Sequence, residues 1–319
     1  MMSFVLAIVS FIIGVILLWK GSDILCEGTS KTAAQLGISA LIISVLLVGF
    51  GTSAPEFAIS VGAAVQNNSE ISLGNIIGSC VANFLLVLGI ASIIKPIKIK
   101  KGIIRREAPI VLGATIILLV TAFFGLLDEY HIIGGVVFLI LFVFFIYFFI
   151  ICAKNERYKT IKYNKDKTAK HVLFIILGII GVVAGAWLLI ESAITIADFF
   201  SIPYFVIAIS IVAVGTSLPE LVVSSMAAYK SESDIAVGNV MGSNVFNILM
   251  ILGVAALFIP LGANNPQTMV HLLILLAVTI FMFPLLTAGK VISRLEGGIM
   301  VGLYSVFMWY NFFGYQLIF

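Results

Sequence analysis

Gly51-Thr52-Ser53-Ala54-Pro55-Glu56 returns 164 residues later as Gly215-Thr216-Ser217-Leu218-Pro219-Glu220. Each copy sets two hydroxyls, a helix-breaking proline and a carboxylate inside an otherwise apolar run. A carboxylate in the middle of a bilayer costs roughly 2.5–3.5 kcal/mol on insertion scales. A chain that carries this cost twice, at matching places, has a use for the two carboxylates.

The flanking sequence places both copies in a membrane. Of 319 residues, 61% are hydrophobic and 10% charged, with mean hydropathy +1.21, where a soluble domain carries about 25% charged residues. Ten apolar segments follow one another, at approximately 2–19, 39–64, 71–94, 108–126, 131–153, 171–190, 203–229, 235–260, 268–287 and 295–318. Most approach the roughly 20 residues that span a bilayer as helix. Backbone in lipid must satisfy its own hydrogen bonds, so the fold class is all-α and polytopic, with ten transmembrane helices. The two motif segments contain Gly and Pro and are expected to break or kink there. The first segment lacks a basic leader and reads as a retained span, not a cleaved signal.

Sidedness comes from the 18 Lys and Arg residues, every one of which falls after an odd-numbered segment. Lys20 and Lys31 follow the first, and Lys95 to Arg106 the third. Lys154 to Lys170 follow the fifth, Lys230 the seventh, and Lys290 and Arg294 the ninth. Even-numbered connections carry acids (Glu70, Asp128, Glu129, Asp198) or no charge. The positive-inside rule then makes this a multi-pass cell-membrane protein with both termini outside and basic loops in the cytoplasm. Topology and anionic lipid account for the basic charge without a nucleic-acid partner. Cys26, Cys80 and Cys152 form no CxxC pair, which argues against a zinc site or a disulfide framework.

The repeat extends beyond the motif. Between Gly51–Gly89 and Gly215–Gly253, 19 of 39 positions are identical without a gap, including Gly74-Asn75/Gly238-Asn239, Gly78-Ser79/Gly242-Ser243 and Asn83/Asn247. Weaker matches continue upstream through Gly14/Gly178 and Gly21/Gly185. The chain therefore divides into a first half (1–153, repeat at about 39–94), a short basic cytoplasmic linker (154–170) and a second half (171–319, repeat at about 203–260). Each half holds five spans, an odd number, so the second half should enter the membrane upside down. Secondary transporters are commonly built this way, with the site at the midplane where broken helices meet.

The motif residues form an all-oxygen set. Thr52 and Ser53 lie four and three residues before Glu56, so all three share a helix face. Ser79 and Asn83 are likewise four apart on the next span, and Thr216, Ser217, Glu220, Ser243 and Asn247 repeat the arrangement. Hard cations take oxygen ligands, calcium six to eight of them, and two carboxylates neutralise one divalent ion. His131, His171 and His271 lie near segment ends, which argues against soft metals. Gly, Ser, Thr and Pro also serve packing and kinking in membranes, but a Pro-Glu pair duplicated in register with matching asparagines points to a site. The four-residue spacing of Gly74 and Gly78, and of Gly238 and Gly242, reads as close helix packing. No nucleophile–base set or HExxH motif accompanies the carboxylates, so the chain is not read as an enzyme.

GTSAPE with GNIIGSCVANFLLVLG, and GTSLPE with GNVMGSNVFNILMILG, resemble the two repeats of sodium/calcium exchangers in the cation/calcium antiporter superfamily, of a prokaryotic type without a large regulatory loop. The resemblance implies an antiporter exchanging Na+, commonly three, for one Ca2+ by alternating access, with no cofactor, working as a monomer. It implies four cation positions between the motif helices. Glu56 and Glu220 would bridge several of them, and Thr52 and Thr216 would add backbone carbonyls. Ser53, Ser217, Ser79 and Ser243 would serve the flanking sodium positions, with the carbonyls of Gly49 and Ala213. The first and sixth spans would lie across the core and slide to switch access. One departure stands out: archaeal-type exchangers carry Asp at the position of Asn247, and so do potassium-dependent relatives. Here Asn83 and Asn247 are both amides, leaving two acids and pointing away from potassium dependence. Proton/calcium exchange, potassium-dependent sodium/calcium exchange and a cation channel remain the alternatives.

Overall fold

The computed structural model describes residues 4–99, 106–156, 165–199, 215–288 and 291–311. Among them the chain is helical except for one two-residue strand pair. The helices are α1 Phe4–Leu36, α2 Ala40–Thr52, α3 Ala54–Val65, α4 Ser69–Ile94, α5 Ala108–Phe123, α6 His131–Glu156, α7 Lys165–Phe199, α8 Leu218–Tyr229, α9 Ser233–Ala256, α10 Pro266–Ala288 and α11 Arg294–Trp309. Strands β1 (Ile97–Lys98) and β2 (Val291–Ile292) pair antiparallel. By length and composition α1, α4, α6, α7, α9 and α10 suffice to cross a membrane, and the bent pair α2–α3 makes a seventh; α5 is a shorter apolar helix. The outer faces of α1, α6 and α7 expose Val5, Ile12, Ile133, Phe144, Ile180 and Trp187. Such large apolar patches suit lipid, not water.

Two boundaries differ from the sequence expectation. The first segment does not stop near residue 19, nor the sixth near 190: α1 and α7 run on to Leu36 and Phe199. Lys20 and Lys31 therefore lie on a helix, where Lys31 pairs with Glu27 one turn before it. The extension follows from packing, because α1 and α7 run antiparallel along a stripe of glycines. A Cβ at Gly14 would stand 2.9 Å from the Gly185 carbonyl oxygen, and one at Gly21 2.8 Å from the Val182 nitrogen and 3.1 Å from the Gly178 carbonyl oxygen. Small residues let two backbones touch, and van der Waals contact is what holds helices together in lipid. The pairing is reciprocal under the 164-residue shift: Gly14 meets Gly185, the copy of Gly21, and Gly21 meets Gly178, the copy of Gly14.

Loops join in two sets. Those after odd-numbered segments meet one another: β1 pairs with β2, the Lys98 amide donates to Ser233 Oγ, and Lys230 pairs with Asp23. Those after even-numbered segments do the same: Asp128 accepts from the amides of Ala263 and Asn264, and the Leu261 amide donates to the Leu127 carbonyl.

Inside, α4 and α9 form the centre. All of the α9 residues from Asp234 to Val245 are buried. Helix α2 of the first half lies against α9 of the second: a Cβ at Gly238 would strike the Leu41 carbonyl oxygen at 2.9 Å, one at Gly242 the backbone of Val45, and Ser44 Oγ donates to the Ile235 carbonyl at 2.7 Å. The packing reading of Gly238 and Gly242 holds. Gly74 and Gly78 differ, since no described atom comes within 4 Å of a Cβ at either. They line a cavity of about 650 Å³ with Glu70, His271 and Tyr304; of the stretch equivalent to α2, 204–216, residues 204–214, which would hold their matching neighbour, lie outside the described residues.

Candidate functional site

Both motifs break their helices. Ser53 stands between α2 and α3 with φ −79° and ψ 10°, and the two axes bend by 48°. Ser217 repeats this before α8 with φ −86° and ψ 7°. Each proline falls in the first turn of the helix that follows, where its missing N–H costs nothing. Each glutamate consequently sits in a first helical turn, where the dipole favours negative charge. Wide π turns at Ser44–Val48, Asn83–Val87 and Phe246–Ile251 bring further irregular backbone close by.

The break places the two carboxylates in one closed polar cluster. Glu56 and Glu220 are both 0% exposed, and Thr52, Ser53, Ser79, Asn83, Thr216, Ser217, Ser243 and Asn247 are all buried with them. Ser79 Oγ donates to Glu56 Oε1 at 3.2 Å, and its copy Ser243 Oγ to Glu220 Oε1 at 3.1 Å. The halves also interlock. Ser53 Oγ of the first donates to Glu220 Oε1 of the second at 3.1 Å, and Ser217 Oγ lies 3.2 Å from Ser79 Oγ. The Gly49 carbonyl oxygen is 3.2 Å from Ser243 Oγ, and Thr52 Oγ1 is 3.3 Å from the same hydroxyl. Ala213 lies outside the described residues.

Glu56 Oε2, Glu220 Oε2 and Asn83 Oδ1 have no hydrogen-bond partner, and the Asn247 amide faces only the thiol of Cys80. Two buried carboxylates, each with one oxygen held and one free, form an arrangement that is costly until a cation arrives. No group of three or more His, Cys, Asp or Glu occurs among the described residues. His131 and His271 bond to backbone carbonyls of Ala256 and Gln267.

Three polar residues join this cluster that the sequence reading did not single out. Asn75 Nδ2 donates to Ser60 Oγ at 2.9 Å and approaches the Glu56 carbonyl at 3.5 Å; Asn239 does the same to Ser224 Oγ (3.1 Å) and the Glu220 carbonyl (3.4 Å). Asn239 Oδ1 also accepts from Thr52 Oγ1 at 2.9 Å. Their signal was present, since Asn75-Ser79-Asn83 and Asn239-Ser243-Asn247 are spaced by four and share a face. The third, Asn244, has no such signal: its equivalent in the first repeat is Cys80.

An all-helical fold that buries two carboxylates among hydroxyls and amides, inside an apolar exterior, defines a membrane transporter of cations. The sodium/calcium exchanger protein family model matches residues 6–151 and 170–313, and the chain belongs to that family. It is 31% identical to the sodium/calcium exchanger MaX1 of Methanosarcina acetivorans, over 93% of this chain and 96% of that one. It is also 31% identical to the inner membrane protein YrbG of Escherichia coli, over 82% of each. Among solved structures, the sodium-calcium exchanger NCX_Mj soaked with 10 mM Na+ and zero Ca2+ superposes with a TM-score of 0.84 at 33% identity, covering 95% of this chain and 98% of that one. The chain is thus a cation/calcium antiporter, not an enzyme.

Proposed function

We propose that the chain exchanges three Na+ for one Ca2+ by alternating access at a single site between Glu56 and Glu220. The observation that carries this reading is the closed pair of carboxylates, fully buried and each retaining one unpartnered oxygen. Calcium cancels their two charges, whereas three sodium ions leave a net +1. Exchange is then electrogenic, and the membrane potential contributes about 2.3 kcal/mol per charge per 100 mV. The empty site keeps two bare charges in a dry interior, which opposes its movement and makes exchange obligatory.

Ligands in this reading are the carboxylates, the hydroxyls of Ser53, Ser79, Ser217 and Ser243, the amides of Asn83 and Asn247, and backbone carbonyls at Thr52, Thr216, Gly49 and Ala213. The reading includes ten spans in two inverted halves of five, with the site at the midplane. Three features support it: the reciprocal glycine pairing of α1 with α7, the matched hydrogen bonds of the two repeats, and the separate joining of odd and even loops. Both termini then lie outside, and basic loops lie in the cytoplasm.

Calcium flux measured in proteoliposomes against imposed sodium, potassium and proton gradients tests the proposal. A sodium gradient should drive calcium uphill without potassium. Flux indifferent to sodium but driven by protons would replace sodium with protons as the partner, and flux indifferent to every gradient would make the protein a channel. Acidification should inhibit, because protonated carboxyls no longer offset calcium's charge; a rate that stays flat well below neutral pH would contradict a role for the pair.

A further inference from the structure

Asn83 and Asn244 are both 0% exposed and lie on helices of opposite halves. Asn83 Nδ2 donates to Asn244 Oδ1 at 3.0 Å, which leaves Asn83 Oδ1 and Asn244 Nδ2 without partners. The 164-residue shift that maps Asn83 onto Asn247 maps Asn244 back onto Cys80. Cys80 is buried against Asn247 and offers that amide only a thiol, at a geometry too loose for an ordinary hydrogen bond. A thiol is a weak donor and a weak acceptor. One asparagine of the cage is therefore tied by a neighbouring amide, and its twin only weakly by a thiol.

We infer that Asn244 is a positioning residue of the cation site: by engaging the nitrogen of Asn83 it keeps the Asn83 oxygen as the atom offered to a cation. This inference rests on the reading of Asn83 as a ligand. An untied amide presents nitrogen or oxygen with little preference, and its nitrogen repels a cation. Tying the nitrogen removes that choice before the ion arrives, so no ordering cost falls on binding. Asn247, facing only the weak thiol of Cys80, is held less firmly in one orientation. The two amides hence contribute unequally despite identical chemistry, and the inequality originates in Asn244 against Cys80.

The ratio of half-saturating Na+ to half-saturating Ca2+ in reconstituted exchange reads this directly. Asn244→Cys, which makes the two repeats alike, should shift the ratio by about fivefold, the worth of one buried hydrogen bond. If Asn244 acts through Asn83, then Asn83→Ala alone and Asn83→Ala with Asn244→Cys should give the same ratio within about twofold. An unchanged ratio in Asn244→Cys would overturn the inference, as would additive effects in the double variant, which signal packing. Asn83→Ala without any effect on the ratio would instead remove Asn83 from the site. Should Asn244→Cys not fold, Cys80→Asn supplies the opposite change. It should tie Asn247 and shift the ratio, and an unaltered ratio there also overturns the inference.

Discussion

The two repeats are near-copies in sequence and in the hydrogen bonds around their motifs, so each departure between them isolates one function. Shared features concern the break and the carboxylate: the proline in the first turn, Ser79 on Glu56 and Ser243 on Glu220, Asn75 on Ser60 and Asn239 on Ser224. These bonds join elements close in sequence and recur wherever the motif recurs. Differences lie in bonds that cross between halves. Glu220 Oε1 accepts from its own Ser243 and, at 3.1 Å, from Ser53 of the other half; the matching Ser217 also bears on Glu56, but more loosely, and lies 3.2 Å from Ser79 Oγ. Asn239 adds a bond from Thr52 to the set it shares with Asn75. Local chemistry builds two equal half-sites, and the join between them makes them unequal.

The largest effect should follow from removing what the halves share. Glu56→Gln and Glu220→Gln should each lower calcium exchange by roughly a hundredfold or more, since losing one partner of a buried charge costs about 3–5 kcal/mol. The ion-free proteins should melt no lower than the wild type. Calcium uptake at the wild-type rate by one of the two would show that the half-sites are unequal in charge as well as in bonding.

Next comes the reciprocal glycine seam. Gly21→Leu should push α1 from α7, because even a Cβ there lies 2.8 Å from the Val182 nitrogen. Exchange should fall by about tenfold, in line with overpacking costs of about 1–3 kcal/mol. Gly113→Leu, on α5 with nothing within 4 Å of its Cβ, is the control and should transport normally. Equal rates for the two variants would mean that the seam does not bear on transport.

A smaller difference should separate the two asparagines. Asn239→Leu removes bonds to Thr52, Ser224 and the Glu220 carbonyl, whereas Asn75→Leu removes only those to Ser60 and the Glu56 carbonyl. The extra bond predicts that Asn239→Leu is worse by about 1 kcal/mol, a few-fold in calcium affinity. Identical affinities would make the crossing bond irrelevant.

The smallest effect lies at the cytoplasmic edge in the proposed topology. Lys230 pairs with Asp23, and Ser30 Oγ donates to Glu232 Oε1 at 2.8 Å, tying α1 to the α8–α9 turn. The equivalent positions in the other half are Trp187 for Asp23 and Gln66 for Lys230, so the tie is one-sided. Both side chains are partly exposed, at 28% and 39%, which limits the pair to about 0.2–1 kcal/mol. Lys230→Gln should therefore change the ratio of calcium affinities on the two sides by no more than about fivefold. Equal affinities on both sides of the variant and the wild type would show that the tie does not bias access.

Much of the fold was legible before any coordinates. Hydropathy marked helical stretches that the structure finds wherever it describes them, and the duplicated Pro-Glu located the breaks. The ends of α1 and α7 were not legible, because hydropathy measures what suits lipid and both helices continue past it on contacts with each other. Gly238 and Gly242 behaved as their spacing suggests, against Leu41 and Val45. For Gly74 and Gly78, with the same spacing, the matching neighbour at 205–209 lies outside the described residues.

For this protein the sequence by itself determined the membrane setting, the repeat, and the placing of two carboxylates and their hydroxyls at matching positions. Those properties depend on residue type and on spacings of three or four, which a helix converts directly into faces. Only the tertiary structure decided that Ser53 reaches Glu220, and that Asn83 is tied to an amide at Asn244 while Asn247 meets only the thiol of Cys80. These pairings join residues from opposite halves, 161 apart for Asn83 and Asn244 and 167 apart for Ser53 and Glu220. No local periodicity reaches across such a distance; the packing of α2 against α9 and the docking of the halves bring them together.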